Sequence, residues 1–220
     1  MNNKHKATIT LAKTAGFCFG VNRAVNMVNG LLEQGNRVAT LGPIIHNKQV
    51  VDELQAKGVA ICENPEEISK DTTLVIRSHG VSKQVYDFLD FHKIAYCDAT
   101  CPFVEKIHKI VQTAAQNNQP VLIAGDSEHP EILGIRGFAG EQVFCYQSTE
   151  ELIDLLKNNI FLRDLPIVSV CQTTFDKKLW EKCEKILKKY CTSAVFLIQY
   201  VMLHQNGNKR PKHWHMIAIL

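Results

Sequence analysis

Short runs of β-branched and apolar residues alternate, over the first 190 residues, with longer stretches whose apolar positions recur every three or four residues. This is the pattern of parallel α/β units. ATITLA at 7–12 reads as a strand, and 21–32 as a helix with Val21, Ala24, Val25, Val28 and Leu32 on its apolar side. RVATLG (37–42) is the next strand, 47–57 a helix carrying Val50, Val51 and Leu54 on one side, and TTLVIRSHG (72–80) a strand ending in small and polar residues. IAYCDAT (94–100) then leads into a helix over 101–115, where Pro102 suits the first turn because its missing N–H would have no partner there. The rhythm repeats with strands PVLIAG (120–125), QVFCY (142–146) and PIVSVC (166–171). Between and after them lie a short helix or turn over 128–139, a helix over 149–156 and an amphipathic basic helix over 175–190. The break between the two sets falls near Cys101, and both sets place polar motifs after strand C-termini, where open α/β sheets bind ligands.

Composition narrows the class. The 220 residues carry 25 Lys+Arg against 22 Asp+Glu, a net charge of +3, with 45% hydrophobic content, so the chain is an ordinary globular protein rather than a basic nucleic-acid coat or a disordered acidic tail. The six lysines between Lys177 and Lys189 read as a solvated helix face, not a nucleic-acid patch. The N-terminus lacks the apolar core of a secretory signal. The longest apolar stretch, 194–203, is interrupted by Gln199 and falls short of the roughly 20 residues of a membrane span. A cytoplasmic protein is therefore expected, and its eight irregularly spaced cysteines read as reduced thiols or metal ligands rather than a disulfide scaffold.

Six short motifs could carry chemistry: GFCFGV around Cys18, IIHN around His46, RSHG around His79, DATCP around Cys101, SEHPE around His129 and Glu131, and QTT around Thr173. A lone His or Cys is more often a packed or solvated structural residue; the recurrence of three His motifs at strand ends is what suggests an anion pocket. Cys18 and Cys101 stand where helices begin, a position that lowers a thiol's pKa and favours the thiolate. Cys62, Cys97, Cys145 and Cys183 lack that setting, and no CxxC pair with zinc spacing occurs.

GFCFGVNRAV, LGPIIHNKQVVDEL, VIRSHGVSKQV, DATCPFVEKIH, GDSEHPEILGIRGF and VCQTTF, in this order, closely resemble the 4-hydroxy-3-methylbut-2-enyl diphosphate reductases of the non-mevalonate isoprenoid pathway, over about 7–195. The resemblance implies an α/β trefoil of three domains with short parallel sheets around a central four-iron four-sulfur (4Fe-4S) cluster, here with a first domain at 7–101, a second at 102–195 and an aberrant remnant at 196–220 in place of a complete third. It implies Cys18 and Cys101 as cluster ligands, His46, His79, His129 and Thr173 as substrate-binding residues, and Glu131 as proton donor. It further implies an isoprenoid diphosphate substrate, a ferredoxin or flavodoxin as electron donor, and action as a monomer without nucleic acid or membrane.

The tail departs from that family. No Asp or Glu follows Tyr190, and His204, His213 and His215 fall within the last stretch. The family's third cysteine lies in a motif resembling NTICxAT; here the corresponding place reads FLIQYVMLHQ, and Cys191 comes several residues too early. Two thiolates hold a cluster only weakly, so an impaired reductase is expected, with a noncatalytic diphosphate-binding remnant or a zinc protein as alternatives. A shifted reading frame from about Phe196 explains the tail. Codons built from the third base of one residue and the first two of the next permit FNTICYATPKRQ, the Tyr200–Val201 junction allowing only Cys or Arg and Met202–Leu203 only Ala or Val. The other explanation is a divergent tail whose histidines, with Lys209, Arg210 and Lys212, form a metal or anion patch. Nucleotide sequencing across codon 196 is expected to reveal the motif in a shifted frame; its absence there sinks the frameshift.

Overall fold

In each half of the chain, strands that are apolar on both faces pair in parallel and are covered by helices on both sides. The computed structural model describes residues 16–69 and 71–191 and the backbone of 195–196. The strand expected at 7–12 and the tail beyond 196 lie outside the described residues. The first sheet contains β1 (Arg37–Leu41), β2 (Ala60–Cys62), β3 (Thr72–Ile76) and β4 (Tyr96–Asp98), in the order β2-β1-β3-β4. The second contains β5 (Val121–Ala124), β6 (Val143–Tyr146), β7 (Val168–Cys171) and β8 (Val195–Phe196), in the order β6-β5-β7-β8. All pairings are parallel, for example Val38 opposite Thr73 and Ile123 opposite Val170. The α/β class and the short parallel sheets are those the periodicity predicts.

Helices α1 (Phe19–Glu33), α2 (Lys48–Ala56), α3 (Lys83–Phe91), α4 (Pro102–Gln116), α5 (Pro130–Arg136), α6 (Thr149–Asn158) and α7 (Lys177–Tyr190) connect and cover the strands. The strand period of two divides each core in half. Val38 and Val75 join Ala24, Val28 and Leu54 on one face of the first sheet, while Ala39, Leu41, Leu74 and Ile76 join Leu89 on the other. In the second sheet Val121, Ile123, Val168 and Val170 pack with Ile107, Val111, Ile132 and Ile135, and Leu122 and Ala124 with Leu152, Trp180 and Leu187. Three elements, β2, α3 and the two-residue β8, are not predicted by the sequence pattern. The three residues of β2 are too few for a visible alternation, and α3 follows so soon after the polar SHG turn that its apolar positions merge with the loop. Among the described residues no helix is long and apolar enough to cross a membrane.

The two sheets meet where α5 lies against the 79–82 turn that follows β3. A Cβ on Gly134 would stand 3.5 and 3.6 Å from the carbonyl oxygens of Val81 and His79, and one on Gly137 would overlap the Ser82 side chain. His108 of α4 stacks on Phe138 at 4.4 Å and lies under Gly80, whose φ of +70° suits glycine.

Gly137→Ala is therefore expected to destabilise the protein by about 1–3 kcal/mol through overpacking. Gly30→Ala, in α1 with open space where the Cβ would go, should stabilise by up to ~1 kcal/mol. Urea unfolding of the two variants checks both signs, and a Gly137→Ala variant as stable as the parent would show that the seam yields.

Candidate functional site

In each sheet the chain runs outward to one side of its first strand and then returns to the other, so the order reverses between β1 and β3 and again between β5 and β7. A crevice opens beyond the carboxyl ends of strands at such a reversal. His46 follows β1 and His79 follows β3; His129 follows β5 and Thr173 follows β7. Backbone hydrogen bonds tie the loops of the first sheet together in sequence. The Ser78 amide donates to the Ile44 carbonyl at 3.1 Å, and the Cys101 amide donates to the Ser78 carbonyl at 2.9 Å.

The two crevices face each other, which brings the three histidines together. Ring centroids are 4.2 Å apart for His46 and His79, 5.0 Å for His46 and His129, and 5.6 Å for His79 and His129. Burial, then the charges of His46, His129 and Arg77, push the His79 imidazole down to about 3. Burial also lowers His129, with His46 and Arg77 acting in the same direction and Asp126 opposing them. Near neutral pH both rings are therefore uncharged. The Glu131 amide donates to His129 Nδ1 at 3.1 Å, so the proton of a neutral His129 ring sits on Nε2. His79 Nδ1 is buried with no partner among the described residues.

Glu131 is 2% exposed. Its carboxylate accepts from the Thr173 amide at 2.6 Å and from the Thr173 hydroxyl at 2.7 Å. Burial raises its pKa and these two donors lower it, with burial the larger effect. The result is a carboxyl held rigidly, able to take a proton at higher pH than a solvated glutamate.

Cys18 and Cys101 are the N-cap residues of α1 and α4, and neither helix start has a side-chain cap. The sulfurs lie near enough for the charge of Cys18 to act on Cys101. A Cβ on Gly20 would come within 2.6 Å of Cys101 Sγ, so glycine leaves space beside the thiol. The lowered thiol pKa expected from the helix start is not what Cys101 has. Burial pushes it up, and the nearby Phe103 and Val104 amides only partly offset that. Two neighbouring thiols at helix starts suit two corners of an iron–sulfur cluster. Among the described residues no group of three or more His, Cys, Asp or Glu is arranged to hold a metal ion.

Several supporting residues escape the sequence reading. Arg23 of α1 donates to the carbonyls of Thr100 at 3.0 Å and Asp98 at 3.1 Å, tying the helix behind Cys18 to the loop before Cys101. Asp98 accepts from the Thr100 amide and the Tyr86 hydroxyl. Arg77, inside the RSHG motif, donates through Nε to the Gly80 carbonyl at 3.4 Å and lays Nη1 over Gly42, where a Cβ would stand 2.5 Å away. An arginine at a strand end ordinarily reads as a solvated terminus; only the fold turns this one inward.

Residues 9–204 match the family model described as LytB protein. A relative from Caldanaerobacter subterraneus subsp. tengcongensis named 4-hydroxy-3-methylbut-2-enyl diphosphate reductase is 38% identical over 192 residues, covering 86% of this chain and 65% of the relative. One of the same name from Geobacter metallireducens is 39% identical over 168 residues, 76% of this chain and 58% of its own length. The chain thus spans somewhat under two thirds of these relatives. Among solved structures, an (E)-4-hydroxy-3-methyl-but-2-enyl diphosphate reductase aligns with a TM-score of 0.72 at 29% identity, over 87% of this chain and 67% of that one. The E-1-hydroxy-2-methyl-but-2-enyl-4-diphosphate reductase from Plasmodium falciparum aligns with a TM-score of 0.73 at 25% identity, over 83% and 57%. With a family-model match over most of its length and the same short parallel sheets, the chain belongs to the LytB protein family.

Proposed function

We propose that this chain carries the diphosphate-binding and proton-delivering parts of a 4-hydroxy-3-methylbut-2-enyl diphosphate reductase. The reaction is the reductive dehydroxylation of that substrate to isopentenyl and dimethylallyl diphosphate. The observation that carries the reading is the convergence of His46, His79 and His129 beside a buried carboxyl held by Thr173. In the net reaction two electrons and two protons enter, the allylic C–O bond breaks, a C–H bond forms and water leaves. A 4Fe-4S cluster, when bound, would supply the electrons, taken singly from a ferredoxin or flavodoxin; Cys18 and Cys101 would be two of its ligands. The remaining tasks fall to the protein's own side chains. Neutral imidazoles donate N–H groups to phosphate oxygens, His129 through Nε2. Glu131, with its raised pKa, holds a proton near the departing oxygen, and Thr173 positions the carboxyl that gives it. The protein acts in the cytoplasm as a monomer in this reading, with domains at 7–101 and 102–195.

Glu131→Gln keeps shape and hydrogen bonding while removing the transferable proton. It is expected to lower turnover by about 10²- to 10⁴-fold while leaving inorganic diphosphate affinity within about threefold. Turnover assays beside calorimetry check this; near-normal turnover in the variant would remove Glu131 from the proton path, and diphosphate binding without turnover in the parent would favour a noncatalytic binding protein. The depressed His79 and His129 pKa values give a second expectation. An anion beside these rings favours their charged forms, so binding takes up protons and affinity rises as pH falls from 8 towards 6. Calorimetry in buffers of different ionisation enthalpy reads the uptake, and binding with no proton exchange would contradict it.

A further inference from the structure

The pocket's three imidazoles lie 4.2–5.6 Å apart, too close for all of them to bear charge at once. They supply direction for an anion but little net charge, and a diphosphate carries several negative charges. We infer that Arg77 is the fixed positive charge of the anion pocket, attracting the diphosphate group that the histidines then orient. This rests on the diphosphate reading above and adds a binding role to a residue that reading leaves out.

Four observations support it. Arg77 leaves β3 two residues before His79, and the Gly80 carbonyl accepts from its Nε, so its base is fixed to the loop that carries a pocket histidine. Its guanidinium occupies space left by Gly42, a residue at φ +69° on the loop leading from β1 to His46; it is therefore seated between the two loops that supply His46 and His79. Its charge reaches the pocket, since it lowers the pKa of both His79 and His129. Among the described residues no carboxylate forms an ion pair with it; Glu63 acts on it only as a nearby charge, and Glu63 is exposed. A half-buried guanidinium without a paired carboxylate keeps most of its field for a ligand, and a planar fork of donors suits phosphate oxygens. The other charged or titratable groups acting on this corner are His46, Asp126 and Glu63; at His129 Asp126 opposes Arg77 and outweighs it, whereas at His79 Arg77 acts with no acid against it.

The test uses inorganic diphosphate as probe, with calorimetry on the full chain and its Arg77→Gln and Arg77→Lys variants, thermal melting as the folding check, and NMR titration of the His129 ring. Arg77→Gln is expected to weaken binding by about 10- to 100-fold and to raise the His129 titration midpoint, which a merely structural residue would not do. Arg77→Lys keeps the charge but not the fork and should bind more weakly than the parent yet at least about fivefold more tightly than a neutral side chain, so it decides the matter should Arg77→Gln not fold. A parent that binds with Arg77→Gln binding equally well, or Arg77→Lys losing as much as a neutral side chain, overturns the role of Arg77 alone. A parent that binds no inorganic diphosphate overturns the pocket reading, and this inference with it.

Discussion

The site depends on how closely two backbones approach at the seam between the sheets. His129 and Glu131 belong to the second sheet, and His46 and His79 to the first. They share one pocket only because α5 sits directly on the turn after β3, with Gly134 facing the carbonyls of His79 and Val81 and Gly137 against Ser82. A methyl group at Gly134 would already stand in full contact with the facing carbonyls, while one at Gly137 would overlap Ser82 and push the halves apart. Ring centroids 5.0 Å apart leave little tolerance for that. Beneath the contact, buried His108, stacked on the partly buried Phe138, fills the space under Gly80 and links α4 to the same turn.

Within the pocket, loss of water outweighs every other influence on ionisation. His79 and His129 are pushed towards their neutral forms, Glu131 towards its protonated form and Cys101 towards its thiol. The opposing contributions are real: two Thr173 donors at Glu131, two amides of the α4 start at Cys101, and Asp126 beside His129. Each is smaller than the desolvation it opposes. The protein alone therefore holds these four groups close to neutrality, and an arriving anion meets imidazole donors beside the charge of Arg77.

Much of this could be read from the sequence, and the limits have physical causes. Short continuous apolar runs and period-3.6 helices marked most elements, because helices on both faces of each sheet bury every side of its central strands. The singled-out residues from His46 to Thr173 do fall beyond strand ends, in loops or, for Glu131, in the first turn of the helix that follows, where Thr173 is found to grip Glu131. What the sequence lacks is the meeting of distant loops. Arg23 spanning to Asp98 and Thr100, Arg77 turning inward over Gly42, and burial overriding the helix start at Cys101 are consequences of packing. No local pattern encodes them.

The repeated strand order has a consequence for how the pocket is assembled. Each sheet can form from its own stretch of chain, yet neither contains a whole pocket. The first offers His46 and His79 without a carboxyl, and the second offers His129, Glu131 and Thr173 without the facing rings. The first core can thus be buried without any site, and the pocket exists only where α5 rests on the turn after β3.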